Sequence, residues 1–174
     1  SQMSNMSHSP YGILKALGEC YTKSLNGLFV KFWNVYGLER DLEKSHVITD
    51  FILKAINHKK IEMLTDGTEL RQFLHSIDCS NCLLTLANKY NEIDRSQNLH
   101  VTSFEWNSII EVAKIVSELY PDISIEASPS KDNVQLDTRN EPDKSVLKFW
   151  KPVINLKKGI ELVNQELIEV LKKK

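Results

Sequence analysis

The sequence is poor in cysteine, has no excess of charge of either sign and contains no long apolar run. Three cysteines among 174 residues are an odd and sparse set, which fits a reducing compartment better than a disulfide scaffold. Twenty-two basic and 23 acidic residues leave a formal net charge of −1, which does not suggest a nucleic acid or an anionic membrane as partner. No apolar run approaches the roughly 20 residues that cross a bilayer. We therefore expect a cytoplasmic protein that binds a small molecule, and neither a nucleic acid nor a membrane.

Glycine is also sparse, and its placement excludes one kind of cofactor site. None of the six glycines belongs to a G-x-G-x-x-G turn between a strand and a helix. Such a turn cradles the phosphates of a dinucleotide, because its glycines let backbone N–H groups approach the pyrophosphate closely. The chain by itself therefore has no dinucleotide phosphate cradle and does not contain a complete Rossmann domain.

The residues that are present favour alternating helices and short strands. The composition is 41% hydrophobic and 26% charged, which is typical of a globular chain. Apolar residues recur at helical spacing in residues 10–25, 46–57, 76–90, 106–119 and 156–171. Apolar runs predict strands at "LFVKFW" (28–33), "IEML", "NLHV" and "ISIEA", "LRQFLH" is extended, and "NVYGLERDLEKS" (34–45) is typical of a loop. This alternation predicts an α/β fold rather than a sandwich or a bundle.

The stretch "SPYGILKALGE" (9–19) places a tyrosine four residues before a lysine at the start of a predicted helix. Residues four apart lie on one helix face, so the ammonium of Lys15 can sit beside the phenol of Tyr11. A nearby cation favours the phenolate and lowers the pKa of a tyrosine from its free value of about 10, as proton transfer near neutral pH requires. The spacing also occurs by chance, as two solvated side chains on a helix face.

Five sequence blocks, in order, resemble those of one enzyme family. "SPYGILKALGECY" is followed by "VKFWNVYG", "HVITDFILKAI", "LTDGTELRQFLHSID" and "NEPDKSVLKFWKPVINLKKGIELV". The blocks are similar in order and spacing to S-P-Y-x-x-S-K, R-x-x-N-V-Y-G-P, V-I-P-x-F, G-D-G-x-x-x-R-D-F-x-x-V-x-D and a closing D-x-S-K-A-x-x-x-L-G-W-x-P-x-x-x-L-x-x-G-L. The chain therefore resembles the extended short-chain dehydrogenase/reductase family, specifically its NAD-dependent sugar-nucleotide epimerases and dehydratases.

This resemblance covers nearly the whole chain but only the C-terminal half of the family. It implies the C-terminal part of a Rossmann-like doubly wound sheet plus a smaller α/β substrate-binding lobe. Residues 1–45 would be the remnant of the NAD-binding domain with the catalytic Tyr/Lys helix. Residues 46–174 would be mainly the sugar-nucleotide lobe, with some elements returning to the Rossmann sheet. The glycine fingerprint would lie upstream of Ser1, so NAD or NADP would be bound mainly by an N-terminal half outside this sequence.

The resemblance also implies catalytic and cofactor-binding residues. Tyr11 corresponds to the catalytic tyrosine, and Lys15 corresponds to the lysine that lowers its pKa and hydrogen-bonds the nicotinamide ribose. Ser1 falls at the serine or threonine that shares a hydrogen bond with the sugar hydroxyl, with a mere chain end as the alternative. Phe32 falls where the family lines the nicotinamide pocket, with a buried strand aromatic as the alternative.

Residues of later blocks are implied to bind a nucleotide-diphosphate sugar. Asn34 corresponds to the asparagine that donates to the diphosphate, and open α/β sheets bind ligands at the carboxyl ends of strands. His46 and Val47 open the next helix, where the family offers N-terminal amides to the diphosphate. The alternative for His46 is a simple neighbour of the helix cap.

Three more residues complete the implied substrate site. Leu64 would pack on the nucleoside base. Arg71 would contact the diphosphate or its ribose, since a planar bidentate donor suits that task, and Arg139 would be a second phosphate arginine. The sequence departs from the family pattern at four places. Thr65 stands in place of a glycine, Gln72 in place of an aspartate, Ser76 in place of a valine, and "VTSFEW" (101–106) in place of a glycine-rich turn.

Two other patterns are predicted to be core rather than cofactor sites. Cys79 and Cys82 spell C-x-x-C, but a zinc ion needs four ligands and the chain offers only Cys20 and scattered histidines besides. We therefore predict no metal site. Apolar residues of the helix predicted at 106–119 also belong to the core, namely Trp106, Ile109, Ile110, Ala113 and Val116.

Two functions of different classes follow from these observations. The first is an NAD(P)-dependent sugar-nucleotide epimerase or dehydratase fragment that transiently oxidises a nucleotide-diphosphate sugar with Tyr/Lys-assisted hydride transfer, and that is inactive when isolated. The second is a catalytically inactive nucleotide-sugar-binding or interaction module derived from that family. The absence of an initiator methionine favours the first. The intact enzyme is expected to be a homodimer that pairs the stripe Ile13, Leu17 and Tyr21 of the Tyr11 helix.

Overall fold

The computed structural model describes residues 9–132 and 140–173. Within them the helices are α1 (Pro10–Ser24), α2 (Val47–His58), α3 (Ser76–Asn88), α4 (Ile109–Ser117) and α5 (Leu156–Leu171). The strands are β1 (Val30–Phe32), β2 (Asn34–Tyr36), β3 (Lys60–Glu62), β4 (Leu70–Arg71), β5 (Phe73–His75), β6 (Leu99–Val101), β7 (Asn107–Ser108) and β8 (Ser124–Glu126). Short 3-10 turns lie at Leu42–Lys44, Tyr90–Glu92 and Ser145–Lys148.

The strands pair in twos, and most of the pairs are parallel. β1 pairs with β6, β2 with β5, and β3 with β8, all in parallel register, whereas β4 and β7 are antiparallel. Parallel pairs require crossover connections, which the helices between the strands supply. The predicted α/β class is therefore confirmed.

Two apolar cores lie on either side of β5. The first core is formed by α2, β3, α4 and α5 together with Phe73. The second core is formed by α3, β6 and the 3-10 turn at Ser145–Lys148 together with Leu74. Successive side chains of a strand point to opposite faces, so Phe73 and Leu74 enter different cores. β5 is thus the element that joins them.

No residue of helix α1 is buried in either core. Its apolar side chains form a stripe, here called the α1 stripe, that faces solvent: Ile13, Leu14, Leu17, Tyr21 and Leu25. The less exposed face consists of Gly12, Ala16, Glu19 and Thr22. Glu19 forms ion pairs with Lys23 at 2.8 Å and with Lys31 of β1 at 3.1 Å. The described residues thus hold α1 through polar contacts and leave its apolar face uncovered.

Several helix boundaries follow from local capping. Ser9 Oγ accepts a hydrogen bond from Gly12 N at 3.1 Å, and Pro10 occupies the first turn of α1 as predicted. Asn155 Oδ1 accepts from Lys158 N at 2.9 Å at the start of α5. Such caps satisfy N–H groups that the helix itself leaves unpaired, so these starts could be predicted from sequence.

Two predicted elements were wrong. Residues 34–36 form strand β2 instead of a loop, because they pair with β5 in the register Asn34↔Phe73 to Tyr36↔His75. The helix predicted at 106–119 begins only at Ile109, because Asn107 and Ser108 pair with β4 and Ser108 forms a capping box with Glu111.

The close approach of α5 to β2 depends on Gly159. A Cβ atom at this position would lie 1.8 Å from Tyr36 Oη and 2.8 Å from Tyr36 Cζ, so no other residue fits without displacing the ring. The Tyr36 hydroxyl lies 3.5 Å from Leu156 O, to which it donates. Gly159 therefore allows α5 to cover the tyrosine of the "NVYG" block.

Candidate active and substrate-binding site

Tyr11 and Lys15 contact each other on the first half of α1. The Lys15 Nζ atom lies 5.3 Å from the centroid of the Tyr11 ring, and the Tyr11 side chain is exposed. The predicted same-face arrangement of the pair is confirmed. The geometry leaves the phenol accessible to a reactant while the ammonium stays within the range of a cation–π interaction.

Phe32 and Asn34 lie on either side of Trp33, where β1 ends and β2 begins. Phe32 is 52% exposed, so the described residues do not bury it, contrary to the alternative of a buried strand aromatic. Asn34 Nδ2 donates to Gln72 O at 3.5 Å, which places it beside Arg71. Asn34 is the first residue of β2 and follows the carboxyl end of β1 by two positions.

Trp33 belongs to an aromatic group that the sequence did not suggest. Its ring lies edge-on to Trp106 at 5.8 Å, and its Nε1 donates to His100 Nδ1 at 3.3 Å. Asp143 N donates to the same His100 nitrogen at 3.3 Å. Burial and the charge of Lys31 lower the pKa of His100, which favours the neutral ring with Nδ1 as acceptor. Trp106 is therefore wrong as a helical core residue, because it lies before α4 and packs on Trp33.

A buried polar pair explains two departures from the family pattern. Thr102 Oγ1 donates to Gln72 Oε1 at 3.0 Å, and both side chains are fully buried. An amide has no net charge and a hydroxyl can satisfy it, whereas an aspartate at position 72 would bring a buried charge. The glutamine and the threonine thus replace the family's aspartate and glycine turn as a matched neutral pair.

Arg71 lies at the end of β4, opposite Asn107 of β7. Its Nη1 donates to Leu70 O at 2.9 Å, and its Nη2 forms an ion pair with Asp132. The guanidinium is only partly exposed, as is the carboxylate it meets. The predicted phosphate-binding arginine is therefore already paired with an anion of its own chain. Arg139 and Ser1 lie outside the described residues.

His46 and Val47 lie at the N-terminus of α2 as predicted. His46 is the N-cap residue but makes no side-chain capping bond, and Val47 packs on the first core. Glu39 Oε2 accepts from His46 N at 2.9 Å, and the Glu39 carboxylate also pairs with the His46 ring. Burial opposes ionisation of Glu39, but hydrogen bonds from His46 and Thr49 leave the pKa of that carboxyl below its usual range.

A cleft of about 270 Å³ opens beside this helix terminus. It is lined by the segment 35–39, by His46 and by three residues that follow in α2 and α3, namely Ile48, Thr49 and Ser76. Gly37 faces Ser76 closely, since a Cβ there would lie 2.4 Å from Ser76 Oγ. A serine at position 76 leaves a polar atom in this wall where the family has valine.

Among the predicted site residues that the structure describes, Leu64 has a largely exposed side chain. Its side chain is 88% exposed, so almost none of its surface is covered. The following turn is held by Thr65, whose Oγ1 donates to Glu69 Oε1 at 2.6 Å and accepts from Gly67 N at 3.3 Å. Gly67 has a φ of 75°, a left-handed conformation that suits glycine. Thr65 thus stabilises the turn that the family begins with glycine.

The buried carboxylate of Asp78 in α3 is a functional group to which the sequence analysis assigned no role. Asp78 Oδ2 accepts from Val153 N at 2.9 Å and from Ile154 N at 2.8 Å, which anchors the segment before α5.

Burial lowers the pKa of His75, although Glu166 and Asp78 oppose this. Burial and the Asp78 charge raise the pKa of Tyr36. The raised pKa keeps the Tyr36 phenol protonated near neutral pH, so Tyr36 is not suited to accept a proton. The "NVYG" and "SID" stretches of the family-like blocks contain Tyr36 and Asp78 and were the available clue.

The C-x-x-C pair is part of the second core. Burial raises the pKa of the Cys79 thiol, and burial, Cys79 and Asp78 raise that of Cys82 to about 12. The interpretation of these cysteines as core residues is confirmed.

Across residues 9–132 and 140–173, no three His, Cys, Asp or Glu side chains are grouped so as to hold a metal ion. No described helix is long and apolar enough to cross a bilayer.

Comparisons with known proteins agree with this architecture. A GDP-L-fucose synthase of Sinorhizobium fredii is 30% identical over an alignment of 174 residues that covers 86% of this chain and 51% of that protein. Epimerase Mth375 of Methanothermobacter thermautotrophicus superposes with a TM-score of 0.78 at 22% identity, over 98% of this chain and 54% of that one. The UDP-N-acetylglucosamine 4-epimerase of Methanobrevibacter ruminantium M1 gives 0.78 at 21% identity, over 94% and 55%.

The chain spans about half the length of these relatives. The structural neighbours share the fold, and the sequence match identifies the family more specifically. The model of the NAD dependent epimerase/dehydratase family matches residues 2–102, which is more than half of the chain and includes α1, the "NVYG" block and Arg71. The chain therefore belongs to the NAD-dependent epimerase/dehydratase family.

Proposed function

We propose that this chain supplies the Tyr/Lys helix and the substrate-binding part of an NAD-dependent enzyme that epimerises or dehydrates a nucleotide-diphosphate sugar. The observation that carries the proposal is the exposed contact between Lys15 Nζ and the Tyr11 ring at 5.3 Å. Residues 1–45 would complete the nucleotide-binding domain, and residues 46–174 would mainly hold the substrate.

The chemistry of Tyr11 follows from its neighbour. With the Lys15 ammonium beside the ring, Tyr11 Oη would take the proton of a sugar hydroxyl as the carbon that bears it is oxidised. The same phenol would return the proton when the carbonyl is reduced again. Lys15 would also donate to the cofactor ribose. These two residues would therefore act as a proton-transfer pair.

The residues present fit the nicotinamide end of NAD. Tyr11, Lys15 and Phe32 are all exposed, so a ribose and a planar ring can reach them without displacing a core residue. When bound, NAD would accept a hydride from the sugar carbon and give it back. The pyrophosphate end has no glycine-rich cradle in this sequence, and we expect a further polypeptide segment to provide it.

The substrate diphosphate would meet donors from three elements. Asn34 pairs with the start of β5 and donates to Gln72 O, the residue that follows Arg71, and the N-terminus of α2 offers amides next to His46. A guanidinium binds phosphate oxygens in bidentate fashion, and helix N-termini favour anions. Arg71 is the residue we expect to contribute most, with the sugar held toward Tyr11.

The uncovered surface of α1 supports the view that more polypeptide packs here. The α1 stripe faces solvent, and β1 pairs only with β6 among the described residues. An open parallel strand edge is what a neighbouring βα unit would cover, and an exposed apolar helix face is what a second subunit would cover. We propose the nucleotide-binding half at the β1 edge, and a homodimer of the complete enzyme that pairs the α1 stripe.

The decisive experiment joins this chain to a glycine-rich nucleotide-binding half and tests Tyr11→Phe. Turnover of nucleotide sugars, followed by chromatography of UDP-, GDP- and dTDP-linked sugars, should fall by about 10² or more. The fall should be in kcat with little change in KM, because the hydroxyl acts in the transition state. Tyr21→Phe is the matched control, since Tyr21 is also exposed on α1 and should keep its activity.

Lys15→Ala separates the two roles of the lysine. It should weaken NAD binding, which Tyr11→Phe should leave unchanged, and it should also lower kcat because the ammonium beside the phenol is lost. If Tyr11→Phe retained more than about half of the wild-type kcat, a general acid/base role would be excluded.

A second candidate function rests on the same lack of a glycine-rich turn. The chain would then bind a nucleotide sugar as a catalytically inactive module. In that case the 174 residues alone would bind nucleotide sugars, and no nucleotide-binding half would restore turnover. The enzyme proposal expects turnover on reconstitution and only weak NAD binding by the isolated chain.

A further inference from the structure

Two carboxylates of this chain bind the same donor groups, Arg71 and the N-terminus of α2, that we propose to bind the substrate diphosphate. Asp132 forms an ion pair with Arg71, and Glu39 accepts from the backbone and ring of His46 at the start of α2. The side chains of Asp132 and Glu39 are 15% and 24% exposed, so both are largely enclosed by protein. Each anion-binding element therefore already holds an internal anion.

The position of Asp132 is set by the backbone that precedes it. Ser128 N donates to Thr65 O at 3.1 Å, and Asp66 N donates to Ser130 O at 2.8 Å. These bonds tie residues 128–130 to the turn before β4, and β4 ends with Arg71. The segment 128–130, which hydrogen-bonds to that turn, therefore places Asp132 close to the Arg71 guanidinium. The contact depends on this backbone pairing as well as on the long arginine side chain.

The position of Glu39 is set by the cleft beside α2. Its carboxylate takes the His46 N–H at 2.9 Å and is also bonded by the Thr49 side chain. Both donors belong to the first turn of α2, where the helix dipole favours a negative charge. Glu39 lines the cleft of about 270 Å³ together with His46, so an incoming anion meets this carboxylate.

We propose that Glu39 and Asp132 are internal competitors that set the affinity and the charge selectivity of the substrate site. This inference rests on the proposed function. A diphosphate carries several negative charges and can replace a carboxylate on either group of donors, whereas a ligand without phosphate gains nothing from displacing them. The released carboxylates would be repelled by the bound diphosphate and would turn toward solvent. The site therefore selects nucleoside diphosphates over neutral nucleosides and sugars.

The test measures binding of UDP, GDP and uridine to the full 174-residue chain by calorimetry. Glu39→Gln and Asp132→Asn each keep the shape and remove the charge. Each should tighten binding of the preferred diphosphate by about 2- to 5-fold, the scale of a partly exposed ion pair, and the double variant should approach the product of the two. Binding of uridine should not change. Glu43→Gln and Asp122→Asn are matched controls that remove one exposed negative charge elsewhere, and both should bind diphosphates as the wild type does.

Thermal unfolding in the absence of ligand provides the second readout. Glu39→Gln should lower the Tm because α2 loses a charge at its N-terminus, while its affinity for the diphosphate rises. A residue with a purely structural role would lower the Tm without that gain. If the wild type binds a diphosphate and neither variant binds it more tightly than the controls do, the competition is disproved although the site stands. If neither the wild type nor any variant binds UDP or GDP, the proposed function fails and this inference fails with it.

Discussion

Helices α1 and α5 have the same kind of sequence and different surroundings. They contain 15 and 16 residues, each begins with a side-chain cap, and each carries apolar residues at helical spacing. α5 buries five residues, including Ile160, Val163 and Leu167, whereas α1 buries none. Periodicity thus indicates that a helix has an apolar face, but it does not say whether the same chain covers that face.

The described side chains that we propose for catalysis and cofactor binding lie on the uncovered side. Tyr11, Lys15 and Phe32 belong to α1 and β1, where the described residues leave much surface exposed. The buried part of the molecule holds polar groups of structural use, such as Asp78 of α3 with its two backbone donors before α5. The comparison teaches that the closed side builds the scaffold, whereas the open side leaves surface for the polypeptide and the ligand that we propose to bind there.

The largest effect should come from shortening matched leucines in the two helices. Leu167→Ala removes a fully buried side chain from the first core and should lower the free energy of unfolding by about 2 to 5 kcal/mol. Leu17→Ala removes a mostly exposed side chain and should change it by no more than about 0.5 kcal/mol. Urea denaturation measures both. Equal losses would mean that the α1 stripe is covered in solution, and the contrast between the helices would disappear.

A smaller effect is expected from the buried pair that links β5 to the end of β6. Gln72→Leu or Thr102→Val alone leaves a buried polar group without its partner and should cost about 1 to 3 kcal/mol. The double variant should cost clearly less than the sum, because both polar groups are then absent. A double-mutant cycle in urea measures the coupling. Strictly additive losses would contradict the pairing that replaces the family's aspartate.

The pH dependence of stability should separate a histidine of the closed side from an exposed one. Burial lowers the pKa of His75 in the folded state, so as the pH falls the unfolded chain takes up its proton first. The contribution of His75 is therefore complete above its ordinary pKa of about 6.5 and is lost as the pH falls through the lowered value. His75→Asn keeps an acceptor for the helix cap and removes this titration.

Unfolding free energies measured from about pH 7.5 down to about pH 5.5 test this expectation. His75→Asn should lose less stability over that range than the wild type does. His58→Asn, at an exposed position in the last turn of α2, should keep the wild-type slope. An unchanged slope in His75→Asn would show that this ring titrates as it does in the unfolded chain.

The smallest effect on stability should come from a charge on the α1 stripe. Leu17→Glu should change the free energy of unfolding by no more than about 0.5 kcal/mol, because the side chain is mostly exposed. It should reduce self-association of the isolated chain, since an exposed apolar stripe promotes it. Sedimentation velocity measures the oligomers. Val153→Glu adds the same charge at an exposed valine outside the stripe, and should leave self-association unchanged.

The long helices and most of the short strands could be predicted from the sequence, whereas β2 and β7 could not. α1 and α5 have caps and several turns of periodic apolar residues, which act locally, so their predicted bounds agree with the structure to within a residue. β2 and β7 contain three and two residues, too few to show a period, and each exists because a distant strand offers hydrogen bonds to it. A sequence window that contains only one partner cannot reveal such a pair.

The candidate site divides in the same way. The sequence by itself determined that Tyr11 and Lys15 share a face, because the helix repeat fixes the relation of residues four apart. It also determined the family, through ordered blocks of residues. Only the tertiary structure decided that Glu39 meets His46, that Asp132 meets Arg71 and that the α1 stripe stays uncovered. Arg71 and Asp132 are 61 residues apart along the chain, and the exposure of the α1 stripe depends on where the other elements pack, so no local pattern encodes either of them.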